Sequence, residues 1–314
     1  MNRHFKKYLF YFLGRIFYAL RFYDKSIFYY SKGLRFRIFF LDIQDRYKKS
    51  ILKGKQKNSY VVKGGLGDIL QHLPFMIENK SLSFIVLTYF KGAAKFLEDL
   101  GISNCKFIYY VDRIEYSRYN KLLNEKINVY QCPRNILFKS PPFLKINVDF
   151  QDKQRKVIGV HLNSSHMNQI NTIPELFFLN LTKKIIKNKF NLLVFCSDQE
   201  FKKMKEIKSK FIKYSHNLNV IDNLACVPNC DAFIGSDSAF KTMSSMLGIP
   251  TIVIIPNNQT STFTKRTFLH PYVGREIMSI YTFTNINEKK ISNCLSYVEK
   301  KLNEIFGLDS SQHE

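Results

Sequence analysis

Three glycines and a carboxylate, Gly64, Gly65, Gly67 and Asp68, separate a run of apolar β-formers at 60–62 from an apolar, helix-like run that begins at Ile69. Glycines between a buried strand and a helix let the backbone pass close to a ligand, and the helix start offers unpaired N–H groups to an anion. The helix dipole favours a negative charge at that point, so Asp68 also fits a simple role as the cap of a tight βα turn. His72 follows one helical turn later, where it either touches an acceptor or serves the helix face. Further along, Asp237, Ser238 and Ala239 form a polar turn between a strand-like stretch at 231–235 and a small-residue helix that carries Lys241 and stops at Gly248. A third polar stretch, Asn163, Ser164 and Ser165, follows the apolar run at 157–161. His161, at the end of that run, either lines a site or satisfies backbone groups.

Two of these stretches, taken together, resemble glycosyltransferase family 9, the ADP-heptose:lipopolysaccharide heptosyltransferases. The first is Gly67-Asp68 with Leu73-Pro74; the second is Asp237-Ser238-Ala239 with Gly248-Ile249-Pro250-Thr251. The resemblance covers residues 58–260. It implies a GT-B fold, with two Rossmann-like domains facing each other across a cleft. It also implies Asp68 as general base toward an acceptor hydroxyl, with Gly64, Gly65, Gly67 and His72 around it. A donor diphosphate would be held by the backbone and hydroxyl of Ser238, by Ala239 and Lys241, and by Asn163, Ser164 and Ser165. Asp237 either joins that set or orients the turn.

The implied donor is a nucleotide sugar, with ADP-heptose favoured, and the implied acceptor is a lipid-anchored glycan such as lipopolysaccharide core. No cofactor and no metal is expected, in keeping with a sequence that has no DxD motif. The chain departs from the family at Ser238-Ala239, where Thr-Gly is usual, at Thr242, where a His is common, and at Asn171, where a Lys is usual. Lys241, or Lys265 and Arg266, are the cations available to replace that Lys. These departures leave a second reading open, a catalytically degenerate GT-B protein that binds anionic lipid or glycan.

The elements that must position these residues follow an α/β pattern. Strands are expected at 60–63, 84–88 and 106–111, with a helix from 69 and another over 91–100 that stops at Gly101. Continuous apolar runs such as 84–88 suit strands buried on both faces of a parallel sheet. The proline cluster at 140–142 and the polar stretch behind it mark a boundary. Beyond it come strands at 157–161 and 191–196, a helix over 175–187 introduced by Pro174, a lysine-rich helix over 199–211 and a short strand at 220–221. A strand–helix–strand unit over 231–255 completes the second half. The expected organisation is thus an extension over 1–57, an acceptor domain over 58–150, a nucleotide-sugar domain over 151–308 and a polar tail over 309–314.

The extension is a class apart. It holds 15 Lys and Arg against three Asp, about half of the whole chain's formal charge of +23, interleaved with many Phe and Tyr. Its longest uncharged stretch, 8–14, is far short of the roughly 20 apolar residues a spanning helix needs. One or two basic, aromatic-rich helices fit either a place on an anionic membrane surface or packing against the domains. The membrane reading puts the protein in the cytoplasm, peripheral on the inner face of a bacterial inner membrane. Charge of this size also attracts nucleic acid, but no motif for reading it is present, so none is expected as a partner. The six cysteines make no metal-ligand pattern and read as reduced, buried thiols.

Overall fold

A computed structural model describes residues 9, 12–14, 16–17, 20, 59–110, 113–126, 129–133, 138, 140–162, 175–187, 190–204, 207, 209–216, 218–256, 278–283 and 287–308. The chain forms two units, Met1–Leu66 with Met76–Cys132, and Gly67–Phe75 with Pro133–Glu314. Both are α/β, as the sequence predicts. Of the extension, Leu9, 12–14 and 16–17 are helical, and the apolar Leu9, Phe12, Ile16 and Leu20 are exposed.

From the first unit, β1 (Ser59–Gly64) leads into α1 (Leu66–Glu78), whose Gly67–Phe75 belong to the second, and within the first unit β2 (Ser83–Thr88) leads into α2 (Ala93–Asp99). Then come β3 (Cys105–Tyr109), α3 (Arg113–Lys126) and the short β4 (Val129–Gln131). The strands pair in parallel in the order β3-β2-β1-β4. Val61, Ile85, Leu87 and Ile108 supply the strand side of a core that Tyr119 and Leu123 of α3 cover. Gly64 leaves β1 at φ 117°, a backbone conformation that L side chains rarely adopt, so the glycine is required by the turn itself. Gly101 ends α2 at φ 73°, as expected from its place after the periodic run.

The second unit is a six-stranded parallel sheet in the order β10-β9-β8-β5-β6-β7. Its elements are β5 (Val157–His161), α4 (Glu175–Lys187), β6 (Asn191–Phe195), α5 (Asp198–Met204), β7 (Ile212–Ser215), α6 (Val220–Ala225), β8 (Ala232–Gly235), α7 (Ala239–Met246), β9 (Thr251–Pro256), β10 (Met278–Phe283) and α8 (Glu288–Phe306). Alternate strand residues divide between the two faces, as a doubly covered sheet requires. Ile158, Val160, Leu192, Val194 and Ile234 pack with Phe177 and Leu181 of α4 and Leu295 and Val298 of α8. On the opposite register, Phe195 and Phe233 meet, and Phe195 also meets Phe240 of α7.

Two expectations fail. Residues 220–221 are not a strand but the start of α6, because Asn219 caps that helix, its Oδ1 accepting from Ile221 N at 2.9 Å and Asp222 N at 3.0 Å. The lysine-rich helix expected over 199–211 ends at Met204, and the sheet instead gains β7 at its edge.

Strand order fixes where a ligand crevice lies. In an open parallel sheet it forms beyond the carboxyl ends of the two neighbouring strands from which the chain winds in opposite directions. In the second unit those strands are β5 and β8, which pair from Ile158 with Ala232 to His161 with Gly235. In the first unit β1, ending at Gly64, lies between β2 and β4, next to the same kind of reversal.

Candidate functional site

At the β5–β8 reversal the backbone is tied together by a bond from Ser236 N to His161 O, 3.0 Å. Gly235 leaves no room for a side chain, since a Cβ there would lie 2.7 Å from His161 O. The chain then turns through Asp237 into α7. Ser238 has extended dihedrals and caps the helix, its Oγ accepting from Lys241 N at 3.4 Å. Small residues recur in α7 because it is buried: Ser244 bonds Thr251 across to β9 at 2.9 Å, and Ser245 returns its hydroxyl to the Thr242 carbonyl at 3.0 Å.

Around this turn sit three further contacts. His161 Nδ1 is 3.1 Å from Ser238 Oγ. The same ring stacks on Phe240, with centroids 4.3 Å apart. It keeps a partly accessible edge, yet protein surrounds it closely enough that burial lowers its pKa to about 4. The imidazole is therefore uncharged at neutral pH, which suits a group facing the positive end of a helix. Lys241 Nζ lies 3.0 Å from Asp237 Oδ1, with only 3% of the Lys side chain exposed. Ser236 Oγ is fully buried and has no hydrogen-bond partner among the described residues.

The first glycine motif splits between the units. Gly65 remains in the first, where a Cβ would collide with the Tyr89 hydroxyl at 2.2 Å, so that ring lies directly over the turn. Gly67 belongs to the second. A Cβ on it would meet Thr242 Oγ1 at 3.4 Å, Ala239 Cα at 3.5 Å and Ala239 N at 3.7 Å. The backbone immediately before Asp68 thus lies against the amino end of α7. Asp68 itself is in the first turn of α1 and partly exposed. His72 is buried, and its Nδ1 donates to the Pro133 carbonyl at 3.0 Å, a bond that ties α1 to the segment leading into the larger sheet.

Gly67, Asp68, Asp237, Ser238, Ala239 and Lys241 are therefore gathered within the second unit. Asn163, Ser164 and Ser165 lie outside the described residues, as do Asn171, Lys265 and Arg266. The sequence pattern left His161 with two roles open and placed Ser236 in the polar turn without a role of its own. What would have found both is strand order, which no spacing within either motif reveals.

No family model matches this chain, and no curated protein matches it. Its neighbours among solved structures include heptosyltransferases and a family 9 glycosyltransferase. The chain is similar to E. coli ADP-heptose lps heptosyltransferase II at 11% identity and a TM-score of 0.49, covering 80% of this chain and 98% of that one. It is similar to E. coli heptosyltransferase WaaC with ADP at 9% identity and a TM-score of 0.48, covering 80% and 100%. The glycosyl transferase family 9 protein from Veillonella parvula gives 12% identity and a TM-score of 0.43, covering 79% and 98%.

Among the described residues, no three or more His, Cys, Asp or Glu side chains come together as a metal-ligand group. None of the described helices is long and apolar enough to cross a membrane. All six cysteines are free, and burial raises the thiols of Cys105, Cys196 and Cys294 to about 12.

Proposed function

We propose that this chain is a glycosyltransferase of the GT-B type, moving a sugar from a nucleotide-sugar donor to a lipid-anchored glycan. Heptose from ADP-heptose is the favoured sugar, and lipopolysaccharide core is the favoured class of acceptor. The observation that carries this reading is the approach of Gly67, the residue before Asp68, to Ala239 and Thr242 at the start of α7. The residue that precedes the Asp68 carboxylate in the chain lies against a helix amino end, which supports a reading in which both ingredients of the transfer serve one sugar. Asp68 takes the proton of the acceptor hydroxyl, and the oxygen attacks the anomeric carbon. The bond from that carbon to the diphosphate breaks, and the leaving diphosphate keeps the electron pair. Its charge is met by the N–H groups that open α7 and by the Ser238 hydroxyl, with Asn163, Ser164 and Ser165 as further donors.

In this reading residues 58–150 serve the acceptor and residues 151–308 the donor, and no metal takes part. The extension over 1–57 rests on an anionic membrane surface at the inner face of a bacterial inner membrane, where a lipid-anchored acceptor is found. Its exposed Leu9, Phe12, Ile16 and Leu20, at spacings of three or four residues in a segment dense in Lys and Arg, support that placement.

The test is a panel of nucleotide sugars screened for thermal stabilisation and then for transfer. Asp68→Ala should melt with the native chain and lose 10²-fold or more in kcat, the low end of what a general base contributes. Full turnover by that variant removes Asp68 from the mechanism. One observation favours the second reading, a degenerate protein that binds anionic lipid or glycan: Lys241, a cation in the first turn of α7, faces Asp237. Calorimetry that finds no nucleotide or nucleotide-sugar binding would decide for it.

A further inference from the structure

We infer that His161 is a positioning residue that turns the Ser238 hydroxyl outward as a donor to an anionic oxygen; this rests on the reading that the start of α7 receives the donor diphosphate. A serine hydroxyl has one hydrogen and two lone pairs. In Ser238 one lone pair takes Lys241 N–H, 3.4 Å away, as the helix cap. The neutral imidazole of His161 carries a single N–H, and its Nδ1 is 3.1 Å from the same oxygen. With that hydrogen on Nδ1, it fills the second lone pair, and the Ser238 hydrogen can go only to a third party. With the hydrogen on Nε2, Ser238 donates to Nδ1 instead and has nothing to offer.

A phosphate oxygen accepts and cannot donate, so a bound diphosphate selects the first arrangement. Stacking on Phe240 at 4.3 Å holds the ring in the plane the bond needs. The bond of Ser236 N to the His161 carbonyl, 3.0 Å, fixes its backbone against the same turn. A second observation at this turn is independent of the pair. Ser236 Oγ, two residues before Ser238, is buried and lacks a partner among the described residues, an unmet polar atom of the sort a ligand satisfies.

The experiment measures binding of ADP, UDP and GDP to the full chain by calorimetry, with the tautomer of His161 read from ¹⁵N shifts of its ring. For whichever nucleotide binds, His161→Phe, which keeps the stack and removes the bond, should weaken affinity about fivefold, the worth of one neutral hydrogen bond. His161→Asn, which can again present an N–H to Ser238, should recover most of that. In a Ser238→Ala background neither change should matter, because His161 acts only through that hydroxyl. The ring should carry its hydrogen on Nδ1 in the nucleotide-bound chain. Should Ser238→Ala weaken binding while His161→Phe does not, the role of His161 is overturned and the donor site stands. An Nε2–H tautomer that persists with nucleotide bound overturns it as well, whatever the variants do. If none of the three nucleotides binds the native chain, the donor site itself fails and this inference falls with it.

Discussion

Lys241 sets its ammonium 3.0 Å from the Asp237 carboxylate, across the very turn whose backbone opens α7. The Lys side chain is almost wholly enclosed, whereas 29% of the Asp side chain is open to water. A buried charge without its partner is costly, and breaking such a pair from one side typically loses 3–5 kcal/mol. Because Asp237 is partly solvated and Lys241 has other contacts, we expect Asp237→Ala to cost about 2–3 kcal/mol, at or below the lower edge of that range. Lys241→Met, which fills the same space without charge, should cost less. Denaturant midpoints for the two single variants and the double variant give the coupling directly; a double variant as unstable as the sum of the singles would show that the pair contributes nothing.

Acid should unfold this protein partly through one ring. Folding lowers the pKa of His161 from 6.5 to about 4, with Asp237 and Lys241 as the charged groups on the adjoining turn. Above pH 6.5 the ring is neutral in both states and the full stability is present. Below it the unfolded chain binds a proton that the folded chain refuses, so stability falls as pH drops toward 4. At pH 5 the loss from this residue alone is about 2 kcal/mol relative to pH 7. Urea titrations at both pH values should therefore show a smaller acid-induced loss for His161→Phe than for the native chain. Equal losses would mean that the ring titrates as it does in water.

The extension offers a clean optical test because the chain has no tryptophan. Phe12 is exposed in a helical stretch, in line with Leu9, Ile16 and Leu20, which are exposed as well. Phe12→Trp gives a single emitter on that face. Its fluorescence should shift to the blue with phosphatidylglycerol vesicles and be quenched by brominated acyl chains, while phosphatidylcholine vesicles leave it unmoved. Raising the salt should weaken the effect, since exposed charges are screened within about 8 Å at physiological ionic strength. Emission unchanged by anionic vesicles would remove the membrane from the proposal.

How far the sequence discloses the fold depends on whether burial or local chemistry decides each element. Residues 157–161 and 175–187 read correctly to the residue, because a continuous apolar run and a helical spacing behind a proline each have one cheap solution. Val220 and Ile221 are β-branched and read as a strand, but Asn219 satisfies two amides ahead of them and the helix wins. The edge strand Ile212–Ser215 hides behind lysines, since only Ile212 and Ser215 are buried and its outward residues follow the composition of the preceding helix. α3, β10 and α8 are not expected from the sequence, although α8 carries its own signals, the Asn287 cap at its start and Gly307 at φ 61° at its end. For the site, the two motifs disclose which residue types matter. The closeness of Gly67 to Ala239, and of His161 to Ser238, comes from strand order and long-range packing, neither of which leaves a mark in local spacing.

The enclosed thiols have a practical side. Burial raises five of the six thiols, those of Cys105, Cys196, Cys226, Cys230 and Cys294, above their ordinary range, with the Ser215 hydroxyl partly offsetting the effect at Cys226. Cys132, for its part, is only 4% exposed. Alkylating reagents attack thiolate, so at neutral pH the native sulfurs are poor targets. A cysteine added on an open surface of each unit would then take up a spin label or dye selectively without first stripping the chain of its own. The separation of the two units, with and without nucleotide, becomes a quantity that can be read in solution on an otherwise native protein.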